Sequence, residues 1–329
     1  MKLKISFYGI IIILVFGLNT VQSQNYKGVT GIRDTSYTTA SAFQNDVKKH
    51  PDIKVVEAFD FEMVGEEKNI TYCSVGNRKL QLDMFQNIGE QDSLRTAVII
   101  IHGGGWRTGN RTQHYPLAQK LANLGYVCFT PEYRLSTEAL FPAAIHDLKS
   151  AIRWIRKNSK KYRIDPEKIV VSGFSAGGEL AAFLGTTANM PLFEGAGCDG
   201  EISSHVNAII DMDGTLSFVH QESGEGDDSR RISAATHWFG YSKKENPVLW
   251  KAASPLSYVN SKTPPTLFIN SSVARMHAGR EDFIKVLTEN NIYSEIISFD
   301  TAPHSFVLYH PWFEPMVKGI DDFLEKVFK

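Results

Sequence analysis

The run Gly173-Phe174-Ser175-Ala176-Gly177-Gly178 constrains this chain more than any other stretch. It follows Lys168–Ser172, which reads as a buried strand, and it opens Ala176–Leu184, a small-residue segment that reads as a helix. A serine between two such elements sits on a sharp, strained turn, which closes only if its neighbours lack bulk. Gly173, Gly177 and Gly178 leave that room. The turn lifts the hydroxyl above a sheet edge and leaves it at a helix N-terminus, where peptide dipoles favour developing negative charge. The bare G-x-S-x-G pattern is common, and its weight here comes from the strand-turn-helix context. The competing reading is a glycine-rich helix start that carries no chemistry.

The rest of the chain supplies a sheet for that turn. Ile70–Val75 and Lys79–Phe85 read as antiparallel strands joined near Gly76-Asn77. Ala97–Ile101, Tyr126–Thr130, Val206–Met212, Pro265–Asn270 and Ser294–Phe299 read as further strands, several of them continuously apolar, as strands covered on both faces are. Helical spacing marks His114–Leu124, Phe141–Asn158, Asp282–Asn290 and Val317–Phe328, with Ala144, Ile145, Leu148, Ile152 and Ile155 as one apolar stripe. This alternation predicts an α/β fold with a mostly parallel, eight-stranded sheet and helices on both faces. Residues 214–262 break the alternation after the sixth strand. They hold the polar run Gln221–Arg231 and the aromatic set Trp238, Phe239, Tyr241 and Trp250, and they read either as a lid or pocket wall or as an insertion that only packs on the body.

Composition bounds the setting. The chain has 329 residues, 43% of them hydrophobic, enough for one sizeable core. A formal charge of −1 gives no reason to expect nucleic acid or an anionic membrane as a partner. Lys2 and Lys4, the apolar run Ile5–Leu18 and Val21-Gln22-Ser23 form a secretory signal pattern, with cleavage expected after Ser23. The expected organisation is therefore a signal peptide over 1–23, an extended lead-in over 24–65 and one α/β domain over 66–329. The mature protein is expected to be secreted or periplasmic, without stable membrane insertion; an uncleaved anchor is the rival reading. Of the three cysteines, Cys128 lies in an apolar run and reads as a small buried hydrophobe. The others are Cys73 and Cys198; an odd count in an exported chain allows one internal disulfide at most, no pair shows metal or redox spacing, and the fold is expected to be held by its core, not by disulfides.

A second glycine motif, His102-Gly103-Gly104-Gly105-Trp106, follows directly on Ala97–Ile101. Successive glycines expose backbone N–H groups, as an oxyanion requires, and the N–H groups of Gly104, Gly105 and Ala176 are the expected donors. A general base comes last in chain order in such a fold, and His304 in Pro303-His304-Ser305-Phe306 occupies that place; His277 and His310 are its nearest rivals.

Together these stretches, with Tyr133-Arg134-Leu135, Phe141-Pro142-Ala143-Ala144 and Asp147, resemble the esterase and lipase branch of the α/β-hydrolases. The resemblance spans about residue 70 to the C-terminus and is most similar to secreted bacterial carbohydrate-esterase-like members with an HGGGW loop, the feruloyl and acetyl esterases among them. It implies a serine hydrolase without metal or organic cofactor, acting on a small ester or an esterified glycan. One departure stands out. Such relatives usually carry the triad acid just after the seventh strand, where this chain reads Ser271-Ser272-Val273-Ala274-Arg275-Met276-His277. Asp282 is the expected acid, because it follows that strand in chain order, although further along. Glu281 shares its position, Asp211 and Asp213 offer a route from the sixth strand, and Asp300 is a third. The expected substrate carries acetyl, methyl or feruloyl esters on a polysaccharide, with the aromatic insertion stacking on sugar rings and Arg275 or His277 meeting a uronate. The alternatives are an exopeptidase of the prolyl-oligopeptidase type and a non-catalytic binding protein on a hydrolase scaffold. The short lead-in argues against the first, the presence of both serine and histidine against the second.

Overall fold

The structure is a computed structural model that describes residues 28–89 and 93–328; the expected signal peptide lies outside the described residues. Eight strands form one sheet: β1 (Val64–Val75), β2 (Arg78–Asn87), β3 (Arg95–Ile101), β4 (Val127–Pro131), β5 (Ile164–Phe174), β6 (Ala208–Met212), β7 (Thr266–Asn270) and β8 (Ser294–Ser298). Their order is β1-β2-β4-β3-β5-β6-β7-β8. β1 runs antiparallel to β2 and β2 antiparallel to β4, while every pairing from β4 to β8 is parallel.

Alternate residues of β3 divide between two cores: Ala97, Ile99 and Ile101 enter one, Val98 and Ile100 the other. Helices α1 (Tyr115–Asn123), α2 (Ala143–Lys157), α3 (Ala176–Thr186), α4 (Arg280–Glu289) and α5 (Phe313–Phe328) cover the two faces. Leu148, Ile152 and Ile155 of α2, Leu180 and Phe183 of α3, and Phe283 and Leu287 of α4 pack into the first core. Leu117 and Leu121 of α1, with Met316, Ile320 and Phe323 of α5, pack into the second. A continuously apolar strand is what a sheet buried on both sides requires.

β1 begins earlier than its alternation indicates. Its pairing with β2 shifts between Glu67 and Ile70 and again between Thr71 and Cys73. Each irregularity interrupts the two-residue period, so only the second half reads as a strand. The preceding residues carry a short helix, Thr39–Asp46, closed by a reciprocal cap between Thr38 and Ser41. Lys54–Val55 then pairs antiparallel with Tyr309–His310, tying this segment to the far end of the chain.

Cys73 of β1 forms a disulfide with Cys198 in the loop before β6, across 125 residues of sequence. The core is therefore not alone in holding the fold, contrary to the expectation. A cross-link over so long a loop removes on the order of 4–5 kcal/mol of unfolded-chain entropy in the loop-closure model. Cys128 is free and fully buried, as expected, and burial pushes its thiol far up.

The 214–262 insertion carries two short helices, Ala234–Phe239 and Pro247–Ala252. The expectation that its rings stack on sugars is corrected for Trp238, Phe239 and Trp250, which are buried, while Tyr241 is half-buried. Trp238 lies flat on Trp106 with ring centroids 4.8 Å apart, and Phe218 meets Trp106, Trp238, Phe239 and Trp250. Aromatic side chains bury large apolar areas, and water is a poorer neighbour for them than one another. Among the described residues, no helix is long and apolar enough to cross a membrane, and no cluster of side chains could hold a metal ion.

Candidate active site

β5 ends at Phe174, and the next residue leaves the extended region altogether. Ser175 has φ 57° and ψ −120°, a conformation side chains rarely adopt, held by its own N–H donating to Met212 O at 2.8 Å on the neighbouring strand. The turn tolerates no bulk beside it. A Cβ on Gly173 would lie 2.1 Å from Gly177 O, and one on Gly177 2.2 Å from Ile101 O.

The glycine loop leaves β3 one strand away. Gly103 donates its N–H to Gln113 Oε1 at 2.8 Å, while Gly104 and Gly105 both have positive φ. Among the described residues, no acceptor takes the N–H of Gly104 or Gly105. His102 anchors the loop. Its ring stacks on Tyr133, its Nδ1 bonds Gly103 O at 2.8 Å, and burial pushes its pKa down to about 3, so the imidazole is neutral. Trp106 fixes the other end by donating Nε1–H to Glu179 Oε2 at 2.9 Å, which couples this loop to the helix that follows Ser175.

Glu179 is fully buried and its second carboxyl oxygen has no partner. Burial first, and then the neighbouring Asp211 carboxyl, hold its pKa well above the usual carboxylate range. The native state thus keeps a proton that the unfolded chain releases, and stability falls as pH rises above the ordinary carboxylate value. Glu179→Gln preserves the acceptor for Trp106 and removes that penalty. The variant is expected to gain thermal stability over the parent, more at about pH 8 than at about pH 4. Unfolding midpoints measured across that range check this, and parallel curves for the two proteins would refute it.

His304 follows β8. Its Nε2 lies 2.8 Å from Ser175 Oγ, and its Nδ1 lies 2.8 Å from Asp213 Oδ2. The imidazole packs against Phe174, ring centroids 4.9 Å apart, which keeps it between its two partners. Asp213 is fully buried at the end of β6. Ser271 donates its backbone N–H to Oδ1 at 2.8 Å and its hydroxyl to Oδ2. Burial alone would raise this carboxyl, but the nearby His277 imidazole and hydrogen bonds from His304 and Ser271 outweigh it and hold Asp213 well below the usual carboxylate range.

The expectation of Asp282 beside His304 is corrected. Asp282 lies in the first turn of α4, 61% exposed, with Oδ2 3.5 Å from His220 Nε2. Glu281 pairs with Arg280 and Asp300 is exposed. Asp211 is buried with its carboxyl well above the usual range, first because of burial, and accepts the Gly214 N–H at 2.7 Å. The reason for Asp213 is topological. β6 and β7 are parallel neighbours with Met212 opposite Ile269, so the residues just beyond them meet at one edge. The carboxylate moves to β6, and Ser271 at the end of β7 becomes its donor. The usable signal was the pair of facts already in the sequence: an acid directly after an apolar strand in Asp211-Met212-Asp213-Gly214, and none directly after the next strand.

Of the other expected residues, Ala176 begins α3 beside Ser175, so its N–H lies at the same helix terminus. Arg275 is half exposed and 3.6 Å from Glu225, and His277 Nε2 lies 3.4 Å from Asp213 Oδ1. The assembly is a proton relay ending on a hydroxyl at a helix N-terminus, with free N–H groups nearby, an arrangement suited to attack on a carbonyl carbon.

The sheet order and the strained serine over it define an α/β-hydrolase. A family model described as BD-FAE matches residues 82–275, and the chain belongs to that family. The esterase LipQ of Mycobacterium tuberculosis is 34% identical over 197 residues, which are 58% of this chain and 45% of LipQ. This chain spans about half the length of the curated relatives it matches. Among solved structures, a truncated carbohydrate esterase from gut microbiota superposes with a TM-score of 0.69 at 25% identity, covering 83% of this chain and 100% of that one. A thermophilic esterase from Thermogutta terrifontis with butyrate bound gives 0.66 at 26% identity, covering 81% and 96%.

Proposed function

We propose that this protein is a secreted serine esterase that removes acetyl, methyl or feruloyl groups from polysaccharide. The observation that carries the reading is His304 bridging Ser175 and a buried, ionised Asp213 at 2.8 Å on each side. His304 takes the proton of Ser175 Oγ as that oxygen bonds the ester carbonyl carbon. The N–H groups of Gly104, Gly105 and Ala176 receive the oxyanion. Its collapse breaks the bond to the alkoxy oxygen, and His304 returns the proton to the departing alcohol. Water then attacks the acyl-serine by the same route, releasing the carboxylic acid and restoring Ser175.

Two similarities support an ester substrate: the butyrate-bound esterase and the carbohydrate esterase among the structural neighbours. The glycan part rests on the second of these and on the export signal pattern. The test is turnover of p-nitrophenyl acetate alongside acetylated, methylated and feruloylated glycans. Release of one acid from a glycan at a higher kcat/KM than from p-nitrophenyl acetate is the expected result, and turnover of the small ester alone would leave no place for the polysaccharide. Export has its own check. The native protein should begin at or near Gln24 by mass spectrometry, and an intact Met1 on soluble cytoplasmic protein would contradict it.

A further inference from the structure

The carboxylate of Asp213 faces two imidazoles. His304 meets Oδ2, and His277, in the turn Ala274–His277 beyond β7, places Nε2 3.4 Å from Oδ1. That separation is long for a hydrogen bond, yet the His277 Nε2 atom is buried and no other group takes it. The nearby Asp213 Oδ1 is a carboxylate oxygen that also accepts the Ser271 N–H.

We propose that His277 is a positioning residue for the Ser175–His304–Asp213 relay: it holds the displaced carboxylate from the side opposite His304 and lowers its pull on the His304 proton. The inference rests on the serine-esterase reading and deepens it. With the acid on β6 rather than β7, its orientation depends on donors reaching across from β7, and Ser271 and His277 both come from that side. An N–H on Oδ1 draws negative charge away from Oδ2, which faces His304. Charged groups near this turn have partners of their own: His220 lies between Glu222 and Asp282. Glu222 of the insertion accepts the Gly279 N–H at 3.4 Å, Arg275 lies toward Glu225, Arg280 bonds Asn270 and Glu281, and Asp211 is held in its protonated range by burial.

The experiment compares the wild type, His277→Ala and His277→Gln in two assays across pH: p-nitrophenyl acetate hydrolysis and the rate of Ser175 labelling by a fluorophosphonate probe. In His277→Ala the acid limb of kcat/KM and of labelling moves to higher pH, because the full carboxylate charge now stabilises protonated His304. kcat falls about tenfold, equal to about 1.4 kcal/mol of barrier, with KM little changed. His277→Gln keeps an N–H donor and recovers most of kcat. A limb that coincides with the wild type in both variants overturns the proposal, as does a loss confined to KM. If His277→Ala does not fold, the Gln variant decides alone: kcat close to the wild type is the expected result, and a tenfold or greater loss of kcat in the folded variant, despite its retained N–H donor, overturns the proposal. Failure of the esterase reading looks different, since wild-type Ser175 would then resist the probe at every pH.

Discussion

Ser175→Ala is expected to lower kcat for p-nitrophenyl acetate by about 10⁶, the scale on which loss of a triad nucleophile is felt. His304 Nε2 would face a methyl group, and the free N–H groups of Gly104 and Gly105 would have no tetrahedral adduct to hold. The fold should survive, because the substitution keeps the Cβ that the strained turn already accommodates and deletes one oxygen. Ser175 makes its backbone bond to Met212 O whichever side chain it carries. Strain stored at such a site is held by its surroundings rather than by the side chain itself, so the thermal midpoint is expected to stay level or rise. The assay pairs turnover with a circular dichroism melt. A folded alanine variant retaining activity within tenfold of the wild type would remove Ser175 from the chemistry.

How much of this was legible in the sequence depends on where each constraint resides. The serine turn was readable because the need for small neighbours falls on residues one to three positions away, at Gly173, Gly177 and Gly178. The glycine loop was readable for the same reason, and the central strands because burial on both faces makes them continuously apolar. What failed to show was everything fixed by tertiary neighbours. The Cys73–Cys198 bond joins β1 to a loop that the chain reaches only 125 residues later, and no local spacing encodes that. Trp238, Phe239 and Trp250 looked like a sugar platform because aromatic residues in a polar insertion imply exposure. Trp106, on which Trp238 lies, is more than a hundred residues upstream of the insertion, and Phe218 inside the insertion gave no sign of the rings it meets. β1 was seen in half, because its irregular pairings erase the alternation that marks a strand.

The acid belongs to the same class of failure, and it carries a sharp test. Asp213→Asn is expected to reduce kcat on the order of 10³–10⁴-fold. Asparagine has nearly the same volume and tolerates the left-handed backbone that residue 213 adopts, φ 55°, so the substitution removes charge with little strain. One amide oxygen can still accept the Ser271 N–H. The amide NH₂ then faces His304 Nδ1 and donates where the carboxylate accepted, which forces the proton of the neutral imidazole onto Nε2. In that tautomer Nε2 cannot receive the Ser175 proton, and no negative charge remains to stabilise the imidazolium. Asp282→Asn should stay within about twofold of the wild type, since an exposed carboxylate 3.5 Å from His220 contributes little to anything. Measured kcat values for the two variants decide between β6 and α4 as the source of the acid. A severe loss in Asp282→Asn with Asp213→Asn near wild type would return the acid to α4, and the β6–β7 edge would then need another explanation for why Ser271, His277 and His304 all converge on one buried carboxylate.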